Sequence, residues 1–458
     1  MEERPVIRRL ALGVISGAIV VAALGSGVVA APPPGITFVG RGAVAGTLLD
    51  KSGLTGQICQ AGNPANCVPK AIFGGFGSDL TYTGHDNVFI AAPDRGPFDG
   101  LTDVPFLDRV HFLHIELTPG SPLGTIQTRL LDTRLLKNEL GQTFVGAAGS
   151  FSATDTTTLR LDPEGIRVGS NGNFYVSDEY GPYLFEFDRQ GHLVQRIGVP
   201  AKFAISNPSA DPNQELLGNS SGRQGNRGME GLAISPDGWT LFGMMQNALL
   251  QDHGLTPGTV DRLGVNNRIL KVDLATGATQ EFVYVLEAIN RGQGVSEILA
   301  INDHQFLVVD RDNRSWLSAA PQAPTRKKIY KIDITGATDV SHLQCAPGVE
   351  CLPAGALPAG VVPVQKSLFI DLLEPAFGLQ NNDASAIAEK IEGLAWGPDL
   401  PDGRRVLYVI SDNDLNPSVP TQIFAFAIDE SLAGVTVDPQ WVPGPLYPPG
   451  QVKKALGK

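Results

Sequence analysis

The stretch Met229-Glu230-Gly231-Leu232-Ala233-Ile234, followed by Leu241-Phe242-Gly243-Met244-Met245-Gln246-Asn247 and then by Arg268-Ile269-Leu270-Lys271-Val272-Asp273, decides the fold. A carboxylate opens a short apolar run, a turn with Asp237 and Gly238 follows, and a second run ends in polar side chains. The third run alternates apolar and polar residues with the period of two that marks a strand. The same plan recurs four times. Its openings are Ser78-Asp79-Leu80-Thr81, Pro163-Glu164-Gly165-Ile166, Ser296-Glu297-Ile298-Leu299-Ala300 and Ile391-Glu392-Gly393-Leu394-Ala395-Trp396. Its second runs end in Pro93-Asp94-Arg95, Ser177-Asp178-Glu179, Asp310-Arg311-Asp312 and Ser411-Asp412-Asn413-Asp414.

Third runs complete the pattern at His111 to Ile115, Tyr183 to Asp188, Lys328 to Asp333 and Gln422 to Phe426. In three of the five units an Asp begins a hairpin turn closed by Gly191, Gly277 or Gly336, where glycine supplies the positive φ the turn requires. Each unit reads as a four-stranded antiparallel meander. One meander cannot bury both of its faces, so several must pack side by side around an axis. The expected fold is all-β, a β-propeller.

Successive opening acids lie about 65 to 95 residues apart, more than the roughly 40 to 50 of a compact blade, so long loops must decorate the blades. Pro200 to Arg227, Gln246 to Asn267 and Gln344 to Gln365, rich in Gly, Pro, Asn and Ser, fit that role. Five blades are evident and a count of six or seven stays open, with Ile36 to Leu49 as a strand that would close the ring against the last blade. Composition agrees: 458 residues at 42% hydrophobic supply a large core, while 53 Gly and 34 Pro favour turns over helices. The seven His form no helical pair of the zinc-protease kind. A formal net charge of -12 argues against a nucleic-acid surface and for a field that attracts cations.

Arg4, Arg8 and Arg9 precede an apolar run from Leu10 to Leu24 and the small-residue stretch Val28-Val29-Ala30. Residues 1–30 therefore read as a secretory signal peptide, with an uncleaved membrane anchor as the alternative. This leaves a propeller over 31–445, a flexible tail over 446–458, and a secreted or periplasmic protein with no membrane span after cleavage. Four cysteines in an exported chain suggest two bridges. Short spacing favours Cys59 with Cys67 and Cys345 with Cys351 among the three connectivities, and no close C-x-x-C pair supports zinc.

Asn226-Arg227-Gly228-Met229-Glu230-Gly231-Leu232-Ala233, Ser177-Asp178-Glu179-Tyr180-Gly181-Pro182 and Lys390-Ile391-Glu392-Gly393-Leu394-Ala395 resemble the phytase-like family, also called esterase-like activity of phytase. The similarity runs from about Ala71 to Phe426. It implies an exported phosphoester hydrolase acting on a small molecule, with Glu164, Asp178, Glu179, Glu230, Glu297 and Glu392 at matching positions as candidates for the activity. Two departures stand out: Asp79 replaces Glu in the first copy, and the third copy ends in Gln246-Asn247. Neither an Arg-His-Gly motif nor a consecutive Asp-Asp run is present, so phytate is not assigned as the substrate.

If the opening strands are innermost, residues 79, 164, 230, 297 and 392 face one channel. Two carboxylates about 6 Å apart repel by roughly 3 kcal/mol at an effective dielectric near 20, so such a ring needs compensation. Ca²⁺, which takes six to eight oxygen ligands, is the simplest candidate. Glu164, Glu230, Glu297 and Glu392 are the candidate catalytic residues, and Asp79, Asp178, Glu179, Asp310, Asp312, Asp412 and Asp414 the candidate metal ligands. Arg95, Arg227, Arg311 and Lys390 stand beside them to hold a phosphate. A metal there would acidify a water for attack on phosphorus, with a free carboxylate as general acid or base. Purely structural roles compete: carboxylates accepting backbone N–H groups of the next blade, Asx turns at strand ends, and ion pairs between neighbours.

Two other functions stay open, a calcium-dependent lactonase or carboxylesterase and a non-catalytic propeller that binds a sugar, lipid or protein. Gly218-Asn219-Ser220-Ser221-Gly222 matches G-x-S-x-G, but a nucleophile elbow needs a strand before the serine and a helix after it. The surrounding sequence predicts a loop.

Overall fold

The computed structural model describes residues 33–457 apart from 147–158, 182, 288–292, 317–325, 382–385 and 443. The segment read as a signal peptide lies outside the described residues. Among those described, no helix is long and apolar enough to cross a membrane.

The chain begins with β1 (Ile36–Val44) and a hairpin of β2 (Gln57–Gln60) and β3 (Asn63–Pro69). The first blade is β4 (Asp79–Tyr82), β5 (Val88–Ala92), β6 (Arg109–Thr118) and β7 (Gly124–Leu135). The second is β8 (Pro163–Val168), β9 (Phe174–Asp178), β10 (Tyr183–Phe187) and β11 (Leu193–Ile197). After a loop carrying α1 (Pro212–Leu217) comes the third, β12 (Met229–Ile234), β13 (Thr240–Met245), β14 (Asn266–Asp273) and β15 (Thr279–Val285). The fourth holds β16 (Gly294–Ala300), β17 (Gln305–Arg311) and β18 (Lys327–Asp333), then a small inserted hairpin, β19 (Gln344–Ala346) and β20 (Val349–Glu350), and its outer strand β21 (Gln365–Asp371). The fifth contains β22 (Lys390–Trp396), β23 (Arg405–Asp412) and β24 (Thr421–Ile428).

The opening strands are innermost and adjoin in a closed circle, β4 to β8, β12, β16, β22 and back to β4. The propeller therefore has five blades. Strand β1 pairs antiparallel with β24, from Ile36 opposite Ile428 to Val44 opposite Thr421, and so supplies the fourth strand of the last blade. It also bridges to β7 at Gly40 and Arg41, which joins the fifth and first blades into one eight-stranded sheet. This is the ring closure the sequence placed at Ile36 to Leu49, and the strands left outside the five blades among the described residues form only two two-stranded hairpins, β2–β3 and β19–β20.

Five apolar clusters fill the wedges between consecutive blades. Ile90, Phe112, Val176 and Phe187 lie between the first two, Leu184, Leu232 and Leu270 between the next, and Phe242, Ile298 and Phe306 after those. Leu307, Val409 and Phe426, then Phe89, Tyr408 and Ile410, complete the circle. Alternating side chains on both faces of every sheet find a neighbour this way, which a lone meander could not provide. The turns at Gly191, Gly277 and Gly336 have φ of 88°, 72° and 77°, the positive values their position demands.

Both disulfides are local. Cys59 lies opposite Cys67 in the β2–β3 hairpin, and Cys345 is bridged to Cys351 across β19 and β20. Residues 446–457, read from sequence as a tail, contain the short helix α2 (Pro449–Ala455) and bury Leu446, Tyr447 and Val452 in the cluster of the first two blades. Three apolar side chains within seven residues give that segment a face to dock.

Candidate functional site

Bulges in the inner strands decide where the repeated acids point. The β12–β13 ladder breaks between Met229 and Gly231, the β8–β9 ladder between Pro163 and Ile166, and the β22–β23 ladder between Ile391 and Gly393. Glu230, Glu164 and Glu392 fall in those breaks, where a bulge re-aims a side chain out of the regular alternation. In β16 the break falls on Ser296, and Glu297 is paired with Val309. Asp79 pairs with Ala92 in an unbroken ladder. The five acids thus separate into three at bulges and two in register.

The glycine after each bulged Glu has a steric reason. A Cβ on Gly165 would come within 2.7 Å of Leu232 N, one on Gly231 within 2.7 Å of Ile298 N, and one on Gly393 within 3.0 Å of Asp79 Cα. Each contact is to the inner strand of the following blade.

Asp79 and Glu297 meet below the mouth on a residue the sequence reading missed, Arg167. Its Nη1 donates to Asp79 Oδ2 at 2.5 Å and its Nη2 lies 3.0 Å from Glu297 Oε1. Asp79 Oδ2 also accepts from Ile166 N, and Glu297 Oε1 from Leu232 N and Ile298 N, so acids of one blade take backbone donors of another. Burial pushes both carboxyls up, and a hydrogen bond between them raises Glu297 and lowers Asp79. Nothing in the sequence marks Arg167, which follows Ile166 in an apolar strand.

Glu164, Glu230 and Glu392 open instead into one small cavity of about 50 Å³ at the channel mouth, with Glu179 and all four expected cations, Arg95, Arg227, Arg311 and Lys390. Arg311 Nη2 donates to Glu392 Oε1 and lies 3.7 Å from Glu230 Oε1, while its Nε donates to Ser296 Oγ at 2.7 Å. Arg95 Nη1 donates to Asp162 Oδ2 at 2.7 Å and to Glu179 Oε2 at 3.2 Å. Lys390 Nζ donates to Asp414 Oδ1. Gln246, where the third repeat departs from acid, donates through Nε2 to Glu230 Oε1 at 2.5 Å. The Arg227 guanidinium makes no hydrogen bond or ion pair among the described residues.

Charge at the mouth is compensated in part by protons. Burial, and then the charges of Glu179 and Glu392, hold Glu230 well above the usual carboxylate range. Glu179 Oε1 and Glu230 Oε2 are buried with no hydrogen-bond partner. Burial, and then Glu230, Asp162, Glu179 and Glu392, hold Glu164 well above its ordinary value. Its carboxyl has no hydrogen-bond partner among the described residues.

Two groups bring three carboxylate oxygens within 4.8 Å of one another: Asp162, Glu164 and Glu179, and beside them Asp94, Asp412 and Asp414. Their donors are all hard oxygens, and Glu179 Oε1 and Asp412 Oδ1 lack a conventional donor, so the residues fit a hard divalent cation. Of the acids proposed as ligands, Glu179, Asp412 and Asp414 belong to these groups, whereas Asp94 and Asp162 were not among them. The remainder lie elsewhere. Asp178 Oδ1 accepts from Asp162 N and Tyr180 N in an Asx-type turn, Asp310 accepts from Gln293 Nε2 and Tyr284 Oη, and Asp312 lies 3.3 Å from Lys327 Nζ. Asp162 escaped notice because it precedes its strand by one residue. Ser220 is exposed in the loop after α1, the reverse of an elbow, since the helix precedes the serine.

A five-bladed propeller with buried acids and guanidinium groups interleaved at one channel mouth defines the class. The chain belongs to the phytase-like family, esterase-like activity of phytase, whose model matches residues 71–415. A relative described as an uncharacterized secreted protein, from Arthroderma benhamiae, is 29% identical over 447 residues, covering 77% of this chain and 85% of the relative. Among solved structures, the GH43 β-1,3-galactosidase with galactodeoxynojirimycin is 8% identical and gives a TM-score of 0.36 over 81% of this chain and 93% of its own. The calcium-binding protein regucalcin from Agrobacterium tumefaciens is 11% identical, with a TM-score of 0.31 over 81% and 95%.

Proposed function

We propose that the protein is an exported hydrolase of phosphoesters of small molecules, working at the channel mouth. The observation that carries this reading is the buried Glu164, without a hydrogen-bond partner among the described residues and raised by burial, in the same opening as Arg227, Arg311, Arg95 and Lys390. Cations in a buried setting bind and orient phosphoryl oxygens and oppose the charge that builds on them. Water attacks phosphorus as the bond to the ester oxygen breaks. Glu164, protonated because burial and neighbouring acids disfavour its anion, gives its proton to that departing oxygen. The proton lost by the water restores the Glu164 carboxyl, leaving an alcohol and phosphate. Arg311 fixes Glu392 and Glu230 at the rim.

Asp94, Asp412 and Asp414 are the residues that would hold a divalent cation while Glu164 keeps its proton, calcium by the hardness of its donors. When bound, such an ion supplies Lewis acidity to a phosphoryl oxygen and to water. Export is supported by the amino-terminal pattern and by the secreted relative.

The test is a panel of phosphomonoesters, phosphodiesters, lactones and p-nitrophenyl carboxylates, assayed after chelation and after calcium is restored. Turnover of phosphoesters that chelator removes and calcium returns is the expected result, with Ser220→Ala as active as the wild type. Turnover of carboxylic esters alone, lost in Ser220→Ala, would replace this reading with a serine esterase.

A further inference from the structure

The channel has a second end, where the inner strands finish. Ile234 and Trp396 stand four residues beyond Glu230 and Glu392, about 13 Å along an extended strand. With Tyr82 and Leu299 they wall a chamber of about 280 Å³, which Arg167, clamped by Asp79 and Glu297, lines as well. Residues 435–442 cross this end as a strap that touches all five blades. Val437 O accepts from Arg405 Nη2, Asp438 N donates to Ile301 O, Gln440 Nε2 to Val168 O and Trp441 N to Pro236 O, and Val442 lies against Gly84.

Arg405 Nη1 lies 3.0 Å from Asp399 Oδ2, and Arg167 is already matched by two acids, so neither guanidinium in the lining waits for an anion. The Tyr82 hydroxyl and the Asp438 carboxylate, by contrast, make no hydrogen bond or ion pair among the described residues. Burial and then Asp86 and Asp399 push the Tyr82 hydroxyl up, so it stays a donor. Three of the chain's four tryptophans gather at this end. Trp396 lines the chamber, Trp441 stands between the lining residues Gln440 and Val442, and Trp239 follows Pro236 on the turn that Trp441 N reaches. Trp441 and Trp239 are 58% and 59% exposed, large apolar faces left uncovered beside polar groups. A sugar ring matches such a surface: its C–H face covers an aromatic ring, while its hydroxyls, donors and acceptors at once, serve carboxylate and phenol. We propose that the chamber and its tryptophan rim bind an uncharged sugar unit, free or at the end of a glycan chain, at the end of the propeller away from the acids. The site is independent of the hydrolase reading, because no residue of the mouth cavity lines it.

The experiment follows tryptophan fluorescence of the full chain titrated with the methyl glycosides of glucose, galactose, mannose and N-acetylglucosamine, in wild type, Tyr82→Phe and Asp438→Asn. The anionic methyl glucuronoside and the apolar ring cyclohexanol serve as controls, and melting temperatures show that the variants fold. A second arm measures retention of wild type and Trp441→Ala on cellulose and on chitin. The proposal expects saturable binding of a neutral glycoside, with affinity about tenfold lower in Asp438→Asn and about threefold lower in Tyr82→Phe. It expects both controls to bind more weakly. Retention that Trp441→Ala loses supports the site with a glycan end as its ligand, and glycoside binding without retention supports it with a free sugar. No glycoside bound by the wild type, unchanged affinity in both folded variants, or cyclohexanol bound as tightly as the glycosides would overturn it. Glycoside binding by a protein that cleaves no ester would keep the site and remove the hydrolase.

Discussion

Arg167 shows how one side chain can settle a problem posed by two others. Asp79 and Glu297 are completely buried, and without the guanidinium between them their charges would face each other in a medium that screens poorly. Replacing Arg167 with Met should destabilise the fold by about 3 to 5 kcal/mol, the usual consequence of leaving buried charge without its partner. Urea titration would measure it, and a change below about 1 kcal/mol would show that the two acids do not depend on the guanidinium. The sequence disclosed these two acids but not their role, since Ser296-Glu297 looks like another copy of Glu230-Gly231. Only the ladder register reveals that Ser296 occupies the bulge. Glu164, Glu230 and Glu392 were legible because each is followed by the glycine its bulge and its neighbour require.

That glycine carries the argument from residue to element. Inner strands of successive blades approach so closely that Gly231 faces the backbone of Glu297 and Ile298. Gly231→Ala must move one strand, and a cost of about 1 to 3 kcal/mol follows from overpacking at a site walled by backbone. Thermal unfolding would register it, while Gly403→Ala, where a Cβ meets nothing within 4 Å, answers to its φ of +86° alone. Strand alternation and turn chemistry made the blades readable from the chain. The blade count stayed open because inserted loops hide the period, and only the pairing of β1 with β24 ends the count at five. The packing of Leu446, Tyr447 and Val452 was equally invisible, because three apolar residues in a Pro-rich stretch carry no periodic signal.

Across the whole molecule, acids held neutral by burial make stability depend on pH. Burial raises Asp178 to about 7 and Asp94 to about 8, and holds Glu164, Glu230 and Asp108 well above the usual carboxylate range. Their protons are bound in the folded state and lost in the unfolded chain near pH 4, so this contribution is full below that pH and is lost as pH rises through the folded values. Each group that stays protonated lowers stability by about 1.4 kcal/mol per pH unit across that window. His111, lowered to about 3 by burial, works in the opposite sense below its ordinary value near 6.5. The melting temperature of chelated protein should therefore fall between pH 6.5 and 8. Added calcium should blunt the fall by taking the place of the protons at the mouth, and a flat profile unmoved by calcium would remove both the neutral acids and the cation site.

The role of Glu164 is tested most directly by the dependence of its variant on the leaving group. A proton donor matters for an alkyl phosphate, whose alkoxide leaves poorly, and much less for p-nitrophenyl phosphate, whose phenolate leaves unaided. Measured as kcat/KM, Glu164→Gln should cut turnover of the alkyl ester about a hundredfold or more and that of the aryl ester by far less, with the melting temperature retained. Equal losses on both esters, or no loss on either, would contradict the assignment of Glu164 as the acid of a phosphoester hydrolase.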